Sequence, residues 1–217
     1  MITAQVEHDA FAAFVRRGVT FYEREHGELR MLLFAQILDH VARVDRVASC
    51  PGGNLLLIGR SGVGRRTAAR LVAYLHGYAF ASPSVTRAAT DADALKHFRN
   101  ELKPVIQGVA VEGTNAVLYV EDHHFGCGAV LELVNSLLSA GEVPGLYAND
   151  ELDSILGLLK EQMLDEGTHL TPYDFFVARV RARLHVCVAL DPTGEKFAIR
   201  CESIPAKNPG ESETPGT

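Results

Sequence analysis

Residues 55–67 read LLLIGRSGVGRRT. Four apolar residues of strand character run straight into a turn with glycines at 59, 62 and 64, and Ala68, Leu71, Val72 and Leu75 then recur at helical spacing. Strand, glycine loop and helix in that order are the context of a phosphate-binding loop, G-x-x-x-x-G-K-[ST]. In that loop, backbone N–H groups close around phosphate oxygens, a lysine reaches the terminal phosphates and a hydroxyl holds magnesium. Gly59 and Gly64 have the required spacing, with Arg60, Ser61, Gly62 and Val63 between them. Arg65 stands in the lysine position, Arg66 in the hydroxyl position, and Thr67 comes one residue late. Arginine donates well to phosphate, so loop amides, a helix N-terminus and Arg65 together can hold an anion. A guanidinium does not replace the compact ammonium, and magnesium loses its hydroxyl ligand, so hydrolysis is the expected loss. An ordinary glycine turn between strand and helix is the alternative on this stretch alone.

The rest of the chain supplies the alternation that such a loop needs. A first helix is expected around Phe11, Phe14, Val15, Phe21 and Tyr22. A second is expected over 28–47 from Leu29, Leu32, Leu33, Ile37, Val41 and Val44. Cys50-Pro51-Gly52-Gly53 breaks the pattern before a strand at 54–58, and the helix after the loop ends near Gly77. A short strand at 78–81, a helix at 91–103, a buried strand at 116–121 (AVLYVE) and a helix at 130–138 follow. Helices at 151–166 and 173–184 precede a third long apolar strand at 185–190, which Asp191-Pro192 stops. Uniformly apolar strands between helices predict an α/β fold with a parallel sheet covered on both faces and ligands at the strands' carboxyl ends. The tail 207–217, KNPGESETPGT, has no large apolar residue and is expected to be disordered.

Composition narrows the function classes. The 217 residues are 47% hydrophobic, enough for a buried core, and the formal charge of −6 with no Lys/Arg-rich run argues against nucleic acid or an anionic membrane as partner. Four cysteines, at 50, 127, 187 and 201, lie far apart without a C-x-x-C, so neither a zinc frame nor a disulfide scaffold is indicated and a reducing compartment fits. No uninterrupted apolar run approaches about 18 residues and the start lacks the order of a signal peptide, so a soluble intracellular protein is expected.

A second chemical element sits at the end of AVLYVE. Glu121 and Asp122 have the form of a Walker B pair, in which one acid orients magnesium and the next polarises water, but the usual Asp-then-Glu order is inverted. Acids at strand ends are commonplace, which leaves a merely structural pair open. His123 and His124 follow, with no third ligand at metal spacing, and are expected to be solvated loop histidines; no metal ligands are assigned.

The stretch NSLLSAGEVPGLYANDEL (135–152) resembles the fourth AAA+ module of dynein heavy chains. LFAQILDHVARVDR (33–46), GNLLLIGRSGVGRRT (53–67) and LHVCVALDP (184–192) match that module in the same order. The arginine-bearing loop, the inverted acids and Asp191 most resemble the cytoplasmic dynein 2 branch, whose motors carry intraflagellar transport trains back from the ciliary tip. The resemblance implies a three-layer P-loop NTPase (AAA+) large subdomain, with N-terminal helices over 1–48, the core over 49–206 and no lid. In this reading Gly59, Arg60, Ser61, Gly62, Val63, Gly64, Arg65, Arg66 and Thr67 hold ADP or ATP, with magnesium left open. Glu121, Asp122 and Asp191 fall at degenerate Walker B and sensor positions. Partners implied are neighbouring AAA+ modules of the ring and other dynein subunits, with microtubules reached only through a stalk this sequence lacks, in cytoplasm, cytoskeleton and cilium. The family's module continues past the SIPA segment (203–206) where this chain has KNPGESETPGT, so a truncated module, with 54–58 at a sheet edge, is expected. Rival readings are a free-standing P-loop ATPase or nucleotide kinase and an interaction fragment without nucleotide.

Overall fold

The structure, a computed structural model, describes residues 8–29, 31–84 and 90–204. The strands β1 (Leu55–Ile58), β2 (Ala79–Ala81), β3 (Ala116–Glu121) and β4 (Leu184–Leu190) form one parallel sheet in the order β1-β4-β3-β2. The central strands β3 and β4 are apolar on both faces because helices cover both. Side chains alternate across the sheet with the strand period of two. Val117, Tyr119, Cys187 and Ala189 pack with Leu57 under α1 (His8–His26), α2 (Ala35–Ala48) and α3 (Arg65–Leu75). Ala116, Leu118, Val120, Val186 and Val188 pack under α4 (Asp91–Gln107), α5 (Gly128–Ala140), α6 (Asn149–Glu166) and α7 (Pro172–Arg183). The result is the three-layer arrangement that the sequence predicts. Among the described residues no helix is long and apolar enough to cross a membrane.

Three sequence expectations change and one is kept. The second helix begins at Ala35, not at 28. Gly27, at φ 87, ends α1, and the Leu29 N–H donates to the Glu23 carboxylate at 3.2 Å, so Leu29 reaches the core from a folded-back connector while Leu32 is 81% exposed. The helix expected to stop at 103 runs through Pro104 to Gln107 and on through a π-helical turn, Gly108–Glu112. Phe98, Leu102, Ile106, Val109 and Ala110 are all buried, and this apolar face outweighs the loss of one N–H at the proline. Strand β1 keeps the edge position expected of 54–58, pairing among the described residues only with β4, and Leu56 and Ile58 are exposed there. Finally, Phe197–Ser203 forms a short helix, α8, that sequence reading passed over. The expected disordered tail lies outside the described residues.

The register decides where the chemistry falls. Ile58 pairs with Leu190 and Ala189 with Glu121, so the three strands that carry the candidate residues end in one row. Gly59, Asp191 and Asp122 are each the first residue past its strand. Such a row at the carboxyl ends of parallel strands is where α/β sheets bind ligands.

Candidate functional site

The loop leaves the sheet at Gly59, whose N–H still donates to the Leu190 carbonyl at 3.1 Å. Arg60, Ser61, Gly62 and Val63 then stand in solvent, and α3 begins at Arg65. Gly64 closes the loop at φ 83, a left-handed conformation that disfavours any side chain, and a Cβ there would lie 2.7 Å from Ile37 Cδ1 of α2. Gly62 has φ 86 with open space where a Cβ would stand. A phosphate therefore has room to approach the loop backbone and the first turn of α3.

The two arginines expected beside phosphate are placed otherwise. Arg65 is 8% exposed, and its Nη1 donates to the Leu190 carbonyl at 2.6 Å and the Leu57 carbonyl at 3.4 Å. Its guanidinium thus ties the ends of β1 and β4 together. Arg66 lies outside and donates from Nη2 to Ser82 Oγ at 2.9 Å, joining α3 to the segment after β2. Thr67 is half-buried within the first turn of α3 and provides no substitute loop hydroxyl.

The acids at the other two strand ends are all engaged. Glu121 Oε1 accepts from the Tyr119 hydroxyl at 3.0 Å, and burial with the neighbouring Glu121 charge pushes that phenol's pKa far up. Asp122 Oδ1 accepts from Arg200 Nη1 of α8 at 2.6 Å, and Arg200 Nη2 donates to the Phe125 carbonyl at 3.3 Å. The other Asp122 oxygen accepts from the Asp191 N–H. Asp191 Oδ1 accepts from the Thr193 N–H at 2.9 Å and its hydroxyl at 2.6 Å, while Oδ2 accepts from the Ser61 N–H at 3.1 Å. The Thr193 hydroxyl, then its amide, and to a smaller extent the Ser61 amide and the Arg65 charge hold the Asp191 carboxyl below the usual carboxylate range. A continuous run of hydrogen bonds therefore joins Arg200, Asp122, Asp191 and the loop.

The expectation of two solvated histidines is half corrected. His123 is half-exposed, and burial together with His124 lowers its pKa. His124 is buried: its Nδ1 accepts from the Glu121 N–H at 2.9 Å and its Nε2 contacts the Pro83 carbonyl at 2.7 Å, which requires the Nε2–H tautomer. It braces the β3 end rather than facing water. Among the described residues no group of three or more His, Cys, Asp and Glu side chains is placed to hold a metal ion. Arg66 stands where the magnesium hydroxyl would be and Glu121 is bonded to Tyr119, so the donors present do not fit a loop-bound magnesium. Arg200 and Thr193, which sequence reading missed, carry no motif, and only their place after the third long strand could have pointed to them.

A parallel three-layer sheet, a glycine loop between its first strand and the following helix, and an acid pair at the end of β3 define a P-loop NTPase domain. Residues 29–207 match the family described as P-loop containing dynein motor region D4, and the chain belongs to that family. It is 45% identical over 192 residues to cytoplasmic dynein 2 heavy chain 1 of Tripneustes gratilla, covering 88% of this chain and 4% of that protein. It is 46% identical over 203 residues to cytoplasmic dynein 2 heavy chain 1 of Chlamydomonas reinhardtii, covering 92% and 5%. The protein of the same name from Homo sapiens is 43% identical over 192 residues, covering 88% and 4%. The chain thus spans about one-twentieth of the length of these relatives, and over that span it is a dynein motor module.

Proposed function

We propose that this chain is a nucleotide-holding, non-hydrolysing module of a dynein ring. ADP or ATP would place its phosphates against the loop between Gly59 and Gly64, at the amides past Ser61, and the start of α3. The observation that carries the reading is the contrast between a loop whose residues 60–63 stand in solvent and an acid pair that is already bonded. In-line hydrolysis needs a carboxylate free to polarise water. Asp122 cannot serve while Arg200 and the Asp191 amide hold both its oxygens. Losing one preorganised electrostatic contact typically costs roughly 3–4 kcal/mol of barrier, and here the loop lysine, the loop hydroxyl and the free acid are all replaced. On this reading the module core spans 49–206, and 1–48 is the helical segment that leads into it. By likeness to proteins named cytoplasmic dynein 2 heavy chain 1, its setting is a cytoplasmic, cytoskeletal motor of retrograde transport in cilia. The partners are adjoining modules of the ring and other dynein subunits.

Titration with a fluorescent ADP analogue and a steady-state phosphate-release assay test both halves. Saturable binding with turnover orders of magnitude below the median enzyme rate of ~10 per second is expected. Turnover near that rate would overturn the non-hydrolysing half, and absence of binding would favour a purely structural module.

A further inference from the structure

The loop already holds an anion, and it is a side chain of the same molecule. In a phosphate loop the exposed N–H groups donate to phosphate oxygens. Here the Ser61 N–H donates to the Asp191 carboxylate at 3.1 Å. The carboxylate does not swing freely. Its second oxygen is fixed by the Thr193 turn, its own N–H is bound by Asp122, and the carbonyl just before it accepts from both Gly59 and Arg65. Arg65 occupies the position that in phosphate loops faces the β- and γ-phosphates, and it is bonded to the residue adjoining Asp191. Asp191 is therefore on the terminal-phosphate side of the loop. Arginine replaces the lysine at the loop's lysine position, and that Arg65, whose charge acts on Asp191, is committed to strand-end carbonyls.

We propose that Asp191 is a specificity-determining residue of the loop: its carboxylate is an internal competitor at the Ser61 N–H, and it makes the site prefer a nucleoside diphosphate to a triphosphate. The inference rests on the nucleotide-holding reading above. A diphosphate can bind the remaining loop amides and leave the carboxylate nearly in place. A triphosphate adds a charged group on the side where Asp191 stands, and like charges a few ångströms apart repel.

The test is calorimetric titration of the 217-residue chain and of its Asp191→Asn and Asp191→Ser variants with ADP and with ATP, in EDTA at fixed salt, with circular dichroism to verify folding. Both replacements remove the charge and keep an acceptor for the Thr193 turn, so either folded variant decides. ATP affinity is expected to rise by about tenfold or more and ADP affinity by about threefold or less. ATP binding that appears only in the neutral variants, with ADP bound by the wild type, also supports the inference. An equal change for both nucleotides, or none while ADP still binds, overturns it and leaves the nucleotide reading intact. No binding by the wild type or either variant overturns that reading and this inference with it.

Discussion

The phosphate loop and the acid pair after β3 lie at ends of the same sheet, yet they are built in opposite ways. Arg60, Ser61, Gly62 and Val63 face solvent, and the loop is steadied by its first amide on Leu190 and by one carboxylate. Glu121 and Asp122 are bonded to Tyr119, Arg200 and the Asp191 amide. The loop stands in solvent with two of its amides taken by Leu190 and Asp191, whereas the side chains that would act on a ligand are closed by partners. Binding and turnover can thus separate within one fold, because the loop works through its backbone and hydrolysis works through a few side chains whose partners can change.

The largest expected effect comes from closing the open region. Gly64→Val would force a β-branched residue into φ 83 with its Cβ against Ile37. ADP affinity is expected to fall by about a hundredfold or more, read by calorimetry on protein whose far-ultraviolet spectrum shows it folded; unchanged affinity would remove the phosphate-loop reading. Next comes opening the closed region. Arg200→Ala breaks a mostly buried charged hydrogen bond and strands Asp122, and should lower stability by about 1.5–3 kcal/mol in urea unfolding. Phosphate release is expected to stay at background, since the lysine and hydroxyl of the loop are still missing; activity gained by this variant would show that Arg200 alone suppresses it.

Arg65→Ala probes the boundary between the two. Its guanidinium holds strand-end carbonyls, so unfolding free energy should fall by about 1–3 kcal/mol while ADP affinity changes less than about tenfold. A large loss of affinity with little loss of stability would put the side chain on phosphate instead. The smallest effect concerns His185, at the opposite end of β4. It is buried, donates from Nδ1 to the Gly53 carbonyl at 2.9 Å and stacks on Tyr78. Burial lowers its pKa. The unfolded chain, titrating near ~6.5, then binds the proton more readily than the folded one, so stability is full above that pH and declines as pH falls through it. His185→Gln should flatten that part of a pH series of urea melts, whereas Gly64→Val should leave its slope alone.

Much of this was legible in the sequence, for identifiable reasons. Strands β3 and β4 are apolar at nearly every position because both faces are covered, and the glycine loop announces itself by spacing. The start of α2 was not legible, because Leu29 and Leu32 continue its periodicity while only Leu29 is buried, and from a connector. The helix expected at 91–103 runs on past Pro104, because burial of Leu102, Ile106 and Val109 outweighs the missing N–H of the proline. Within the site, residue types and strand-end positions were readable. The hydrogen bonds that decide their chemistry were not, since Arg200 and Asp122 are brought together only by the fold.

The strand order also dictates when the site can come into being. β4 lies between β1 and β3, and its pairing with β1 joins residues as far apart as Asn54 and Val186, a separation of 132 positions. At synthesis rates of roughly 5–20 residues per second, the ribosome works for on the order of ten seconds between making the loop and making the strand that anchors it. Through that interval Leu55 to Ile58 have no sheet to join, and closing so long a loop makes their pairing a late and slow contact. Within this span the phosphate loop is translated well before β4 and takes shape only after it, which makes a nascent chain's need for shelter greatest over its own most informative stretch.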